Sequence, residues 1–179
     1  PALTGINFEL SEGSLIFVGT DGHRLSKVVS KNFTGLDADT NLKMILPTKA
    51  LNLIIKNLDP GEMVNIQIGE DHVVFRLQDA LIYSKLINGT YPNYERVLPK
   101  DNEKLLTIDR ELLISTLKRV SIFSNSLTNQ VRLVVTPNEI TIYSEDIEFG
   151  AEAKEAIPAS FDHDWLQVGY NSAYLMDIL

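Results

Sequence analysis

The sequence contains no cysteine. That excludes disulfides, thiolate zinc sites and cysteine nucleophiles, and it fits a reducing compartment. No apolar run approaches the roughly 18 residues needed to cross a bilayer, and no signal peptide is read at the start, where Pro1 begins in mid-sequence. Basic residues are scarce: 16 Lys+Arg stand against 24 Asp+Glu, a net charge of −8 over 179 residues. Such a balance argues against sequence-blind nucleic-acid binding unless the bases gather locally, because phosphate must be neutralised by Lys and Arg. There is no Walker loop, no G-x-G-x-x-G, no H-E-x-x-H and no G-x-S-x-G. With 44% hydrophobic and 22% charged residues, the composition is that of a globular protein of one domain or two small ones.

What is present is a repeat. Ile6-x-Phe8-x-Leu10 alternates, breaks at Ser11–Ser14, and resumes at Leu15-x-Phe17. Val64-x-Ile66-x-Ile68 with Val73-x-Phe75-x-Leu77, and Val131-x-Leu133-x-Val135 with Ile140-x-Ile142, repeat that spacing. Period-two alternation across a short polar break predicts a β-hairpin. Each hairpin is followed by a third strand-like stretch, at 23–30, 80–87 and 149–157. Between the triplets, short strands at 42–46, 106–108 and 166–170 each lead into a helical pattern. Thr48, Asp109 and Asn171-Ser172 stand at those junctions as expected N-caps, since their side-chain oxygens can accept from free first-turn N–H groups. The grammar is strand–helix–strand–strand–strand, an α+β class. Its phase predicts a chain that enters after a missing strand–helix pair and leaves before a missing hairpin.

The first full helix places Leu51, Ile54, Ile55 and Leu58 on one expected apolar stripe, with Lys49, Asn52 and Lys56 opposite. The second, about 110–124, places Leu113, Leu117 and Val120 toward the core, with Lys118 opposite and Arg119 on the flank. Ile122 falls off that stripe and Phe123 sits at its edge. Acid collects elsewhere: residues 139–164 hold one base, Lys154, and eight acids. Positive helix faces beside an acidic sheet layer suit loose, sequence-blind contact with DNA. The acidic run Glu145–Glu148 is read as a solvated loop. Asp162-His163-Asp164 carries ligand-type side chains, but strand alternation would split them across two faces, so neither a metal site nor a cofactor is expected.

Two strings remain distinctive. Thr20-Asp21-Gly22-His23-Arg24-Leu25 reads as a tight turn, with Asp-Gly supplying a positive φ and His23 and Arg24 forming a polar lip. Thr90-Tyr91-Pro92-Asn93-Tyr94-Glu95-Arg96-Val97-Leu98-Pro99 reads as an extended connector between domains, with Pro92, Tyr94 and Val97 suited to wall an apolar groove.

Together these strings resemble the β-subunit family of bacterial DNA polymerase III, the sliding clamps. Thr20–Leu25 is similar to the family's T-D-G-H-R-L segment. Lys85–Pro99 is similar to its S-[KR]-L-x-[DE]-G-x-[FY]-P-[DN]-Y-x-x-[VL]-[LI]-P segment. Val131-Arg132-Leu133 and Gly169-Tyr170-Asn171 through Tyr174-Leu175 also fit. The resemblance implies a DNA-clamp fold, with antiparallel sheets outside and helices lining a channel. It implies a middle domain at 1–102 lacking its first strand and helix, and a third domain at 103–179 lacking its last strands. It implies a peptide-binding pocket formed by Leu3, Thr20, Gly22, His23, Arg24, Leu25, Pro92, Arg96, Val97, Asn171 and Tyr174. Lys49, Lys56, Lys118 and Arg119 match DNA-channel positions, and Ile122 and Phe123 match a subunit interface.

The implied partners are double-stranded DNA, a second subunit closing a homodimeric ring, and short linear peptides of the polymerase III catalytic subunit, the clamp loader and repair proteins. The implied setting is the bacterial cytoplasm at the nucleoid, with no membrane partner and no catalytic centre. Two other readings stay open from the residues alone: a small α+β enzyme using Asp21, His23 and Arg24 as its acid/base centre, and a general protein-interaction domain.

Overall fold

The computed structural model describes residues 2–11, 13–35 and 40–179; Glu12, inside the first hairpin break, and Pro1 lie outside the described residues. The chain divides into two compact units, Pro1–Val97 and Leu98–Leu179. The expected boundary at 102 therefore falls a few residues inside the second unit.

In the first unit a 3-10 turn (Ala2–Thr4) leads into β1 (Gly5–Ser11), β2 (Ser14–Thr20), β3 (Leu25–Ser30), β4 (Leu42–Pro47), α1 (Thr48–Lys56), β5 (Asn65–Ile68), β6 (His72–Arg76) and β7 (Leu81–Lys85). Pairing is antiparallel throughout, in the orders β3-β2-β1-β4 and β5-β6-β7. The expected hairpins form where the alternation places them. Phe8 lies across from Phe17 in register, and their rings meet edge to face at 5.1 Å between centroids. Phe8, Leu10, Met44, Leu46, Ile54, Val73, Phe75 and Leu77 form the core. Gly5 is required by packing: a Cβ there would stand 2.6 Å from Ile45 Cγ2 and 2.8 Å from the Leu46 carbonyl oxygen.

Two expectations for α1 are corrected. Ile55 is 71% exposed. The buried face is centred on Ala50 and Ile54, with Leu51 and Leu58 packed beside them, which turns Ile55 to the edge. Thr48 does not cap the helix. Pro47 occupies the N-cap without a side-chain acceptor, and Thr48 Oγ1 donates instead to the Thr4 carbonyl at 3.2 Å.

The second unit runs β8 (Leu106–Thr107), α2 (Arg110–Val120), a 3-10 turn (Ser121–Phe123), β9 (Gln130–Thr136), β10 (Glu139–Asp146), β11 (Ala151–Pro158), β12 (Ser160–Phe161), β13 (Leu166–Asn171) and α3 (Ser172–Ile178). Its four-stranded sheet is ordered β11-β10-β9-β13, the same winding as β3-β2-β1-β4, and β12 pairs with β8. The equivalence of the two four-stranded sheets is the tertiary form of the sequence repeat. Leu117, Val120, Val131, Leu133, Val135, Ile140, Ile142, Ile157 and Phe161 make the core. Asp109 caps α2 by accepting from Leu112 N at 2.7 Å, and Asn171 caps α3 by accepting from Ala173 N at 2.9 Å and Tyr174 N at 3.3 Å.

Two further expectations change here. Within the acidic run, Asp146 is buried, and its carboxylate closes the turn after β10 by accepting from Glu148 N and Phe149 N. Asp162, His163 and Asp164 lie in a bend after β12, not on a strand. There Asp162 Oδ1 contacts His163 Nδ1 at 2.7 Å and accepts from Leu105 N.

Candidate functional site

Strand register gathers most of the first unit's site residues at one end of a sheet. Asn7 faces Val18, so two residues further on the strands reach Gly5 and Thr20. The turn holding Leu3, the loop leaving Thr20, and the start of β3 at Leu25 therefore share that end. The Tyr91 phenol lies at the backbone of Thr20, and its oxygen is buried with no well-formed hydrogen bond. Burial pushes that phenol above its ordinary range, against a smaller lowering by the Thr20 backbone.

The Thr20–Leu25 loop is closed by its own side chains. Thr20 Oγ1 donates to the Arg24 carbonyl at 2.7 Å and accepts from Gly22 N at 3.1 Å. Gly22 has φ +91°, a left-handed conformation that costs glycine no Cβ clash. Asp21 Oδ1 accepts from His23 N and Arg24 N, each at 3.0 Å, and Oδ2 accepts from Arg24 Nε at 3.0 Å. The Arg24 and His23 N–H groups, with the Arg24 side chain, pull the Asp21 carboxyl down to about 2. A carboxylate held so firmly ionised makes a weak proton acceptor near neutrality.

The stretch after β7 is strapped onto the same unit. Ile87 N donates to the Ile45 carbonyl at 3.0 Å. Residues Gly89–Glu95 lie beside Asn7, Glu9, Lys43, Met44 and Ile45, enclosing a cleft of about 370 Å³. Tyr94 is buried, Lys27 Nζ stands 5.3 Å from its ring centroid, and burial followed by the charges of Glu9 and Glu95 raises its phenol pKa. Glu9 is itself buried; it accepts from Asn7 Nδ2 at 2.7 Å and pairs with Lys43 at 3.4 Å. Pro92, Arg96 and Val97 are exposed on this strap.

In the second unit, Asn171 and Tyr174 sit at the start of α3. Asn171 uses its oxygen on the helix cap, and its Nδ2 donates to the Thr128 carbonyl at 3.0 Å. Lys118 is exposed on α2. Arg119 is engaged with Glu155 of β11 through Nε at 3.0 Å and Nη2 at 2.5 Å. Ile122 is 77% exposed and Phe123 43%, on the turn that ends α2. In the first unit, Lys49, Asn52 and Lys56 are exposed along one side of α1.

Residues 1–93 match the family model described as the DNA polymerase III beta subunit, central domain, and residues 95–179 match its C-terminal domain. The chain belongs to this family. Its α+β fold, built of antiparallel sheets and short helices, is that of the beta-subunit clamps. The beta sliding clamp of Pseudomonas putida is 33% identical over 99% of this chain and 48% of its own length. A sliding clamp from Pseudomonas aeruginosa solved bound to griselimycin has a TM-score of 0.91 at 30% identity, and one from Bartonella birtlesii, also bound to griselimycin, a TM-score of 0.89 at 31%. Both structures cover 99% of this chain and 48% of their own. The chain thus spans about half the length of the beta-subunit relatives it matches.

Sequence reasoning missed the part played by two residues. Asp21 reads as a turn residue or an acid/base candidate, and its carboxylate's hold on Arg24 goes beyond both, although an Asp three residues before an Arg across an Asp-Gly turn is a legible loop-closing pattern. Alternation alone puts Glu9 on the outer face of β1, opposite Phe8 and Leu10, with no signal of burial. Only the strap, folded back over that face, buries it.

Proposed function

We propose that the protein carrying this chain is a sliding clamp: a ring that encircles duplex DNA and tethers the replicative polymerase. The first unit is its middle domain and the second its third, with the boundary at Val97–Leu98 in place of the expected 102. The observation that carries this reading is the match of both halves, in order, to consecutive domains of the DNA polymerase III beta subunit.

Leu3, Thr20, Gly22, His23, Arg24, Leu25, Pro92, Arg96, Val97, Asn171 and Tyr174 serve the peptide-binding pocket. Gathering of Leu3 and the Thr20–Leu25 loop at one sheet end, with Tyr91 of the strap at the Thr20 backbone, supports that assignment. Griselimycin, bound by two related clamps, is a ligand for this pocket, as are short peptides of the polymerase, the clamp loader and repair proteins.

Lys49, Lys56 and Lys118 face DNA, held by weak screened attraction that lets a ring slide. Arg119 adds to that field with its charge offset by Glu155. Ile122 and Phe123 meet a second subunit, as exposed apolar side chains on the turn after α2 suit. The protein works by binding and without a catalytic centre of its own, in the bacterial cytoplasm at the nucleoid. The low Asp21 pKa supports binding over acid/base use of the loop.

The test is primer extension on circular DNA with the full-length protein, its polymerase and its loader. Long products made only when the protein is present are expected. Product lengths unaffected by it would overturn the proposal. His23→Ala is expected to weaken griselimycin binding and to shorten products, with melting unchanged.

A further inference from the structure

Asp21 is exposed, and its carboxylate nonetheless engages two backbone N–H groups and one guanidinium within three residues of itself. Those N–H groups belong to His23 and Arg24, two residues of the proposed pocket, and the guanidinium is Arg24's own. Thr20, the residue before it, closes the same loop through Oγ1 onto the Arg24 carbonyl and from Gly22 N. The four residues from Asp21 to Arg24 thus have their backbone set from the inside, with Gly22 supplying the left-handed step.

We infer that Asp21 is a positioning residue of the peptide-binding site, fixing the backbone of His23 and Arg24 and the orientation of the Arg24 guanidinium before a ligand arrives. This rests on the reading of the Thr20–Leu25 loop as part of that site. The physical reason is preorganisation. Without the carboxylate, two N–H groups turn to water and the loop samples other conformations. A ligand must then pay for ordering it. The two oxygens divide the work. Oδ1 holds the backbone, an acceptor role that asparagine can keep, whereas Oδ2 holds the arginine, which requires the anion.

The experiment measures griselimycin affinity by calorimetry on the full-length protein. Asp21→Ala is expected to weaken binding roughly 5- to 30-fold, as loss of a capping side chain does, with the melting temperature within a few degrees of wild type. Asp21→Asn is expected to recover most of that loss. In an Arg24→Ala background Asp21→Asn should cost nothing further, because the group that Oδ2 orients is gone. Wild-type affinity in Asp21→Ala, or equal losses for Asp21→Ala and Asp21→Asn, overturns the inference and leaves the clamp reading standing. If Asp21→Ala fails to fold, the Asn variant decides: an effect undiminished by Arg24→Ala overturns it. No griselimycin binding by the wild-type protein overturns both.

Discussion

Arg119 on α2 grips Glu155 on β11 with two parallel hydrogen bonds, and Thr116 completes the set. The guanidinium donates to Thr116 Oγ1 at 3.0 Å, and that hydroxyl lies 3.3 Å from Glu155 Oε1. The pair lowers the Glu155 pKa and raises that of Arg119, in each case chiefly through the hydrogen bond between them. A helix that presents basic residues is thereby tied to a sheet strand, and one of its two adjacent cations spends its charge inside the unit.

That division predicts unequal roles in DNA binding. Lys118→Ala is expected to weaken binding of the full-length protein to DNA and to reduce the slope of log affinity against log salt by about one, the effect of one lost phosphate contact. Arg119→Ala should change the slope by less, because its charge is already offset. Fluorescence anisotropy across a salt series measures both, and a larger slope change for Arg119 rejects this assignment.

The Asp21 carboxyl should titrate far below a free aspartate. Its folded pKa of about 2 lies under the ordinary value of 3.8. The stabilisation it gives the loop is therefore fully present above about pH 4 and is lost as pH falls toward 2. The 13C shift of its carboxyl carbon across an acid titration reads the midpoint directly. A midpoint near 3.8 would mean that the Arg24 and His23 contacts do not form in solution.

Core and rim should separate cleanly in stability. Leu117 is fully buried between α2 and the sheet of the second unit, so Leu117→Ala is expected to cost about 2–5 kcal/mol. Ile55, on the exposed edge of α1, should tolerate alanine within roughly 0.5 kcal/mol. Urea unfolding of the two variants tests this, and comparable losses would return Ile55 to the core stripe.

The strap should depend on one ring. Tyr94 is buried and sits under Lys27. Tyr94→Ala is expected to loosen Gly89–Glu95 from β1 and β4 and to speed tryptic cleavage after the exposed Arg96. Unchanged cleavage kinetics would show that the strap is held without it.

Much of this was legible along the chain because the relevant signals are local. Alternation at Ile6–Phe17, Val64–Leu77 and Val131–Ile142 reports hairpins, since a strand buried on one face must alternate. Asp109 and Asn171 report helix starts, since a cap needs only a side-chain oxygen at the right junction. The strings Thr20–Leu25 and Lys85–Pro99 carry enough identity to point to the family. What the sequence could not decide involves groups far apart in it. Thr48 is a good cap by type, yet the chain places Pro47 at that position and turns the Thr48 hydroxyl to Thr4. Ile55 fits a helical stripe, but Ala50 sets which way α1 faces its sheet. Arg119 is a cation to any composition count. Glu155, 36 residues further along, uses that charge only once β11 has paired alongside β10. The repeat, the caps and the family strings were thus determined by residue types and their spacing. Which charges stay open to a partner and which outer-face residues are buried were decided by tertiary packing, because each depends on a contact whose two halves only folding brings together.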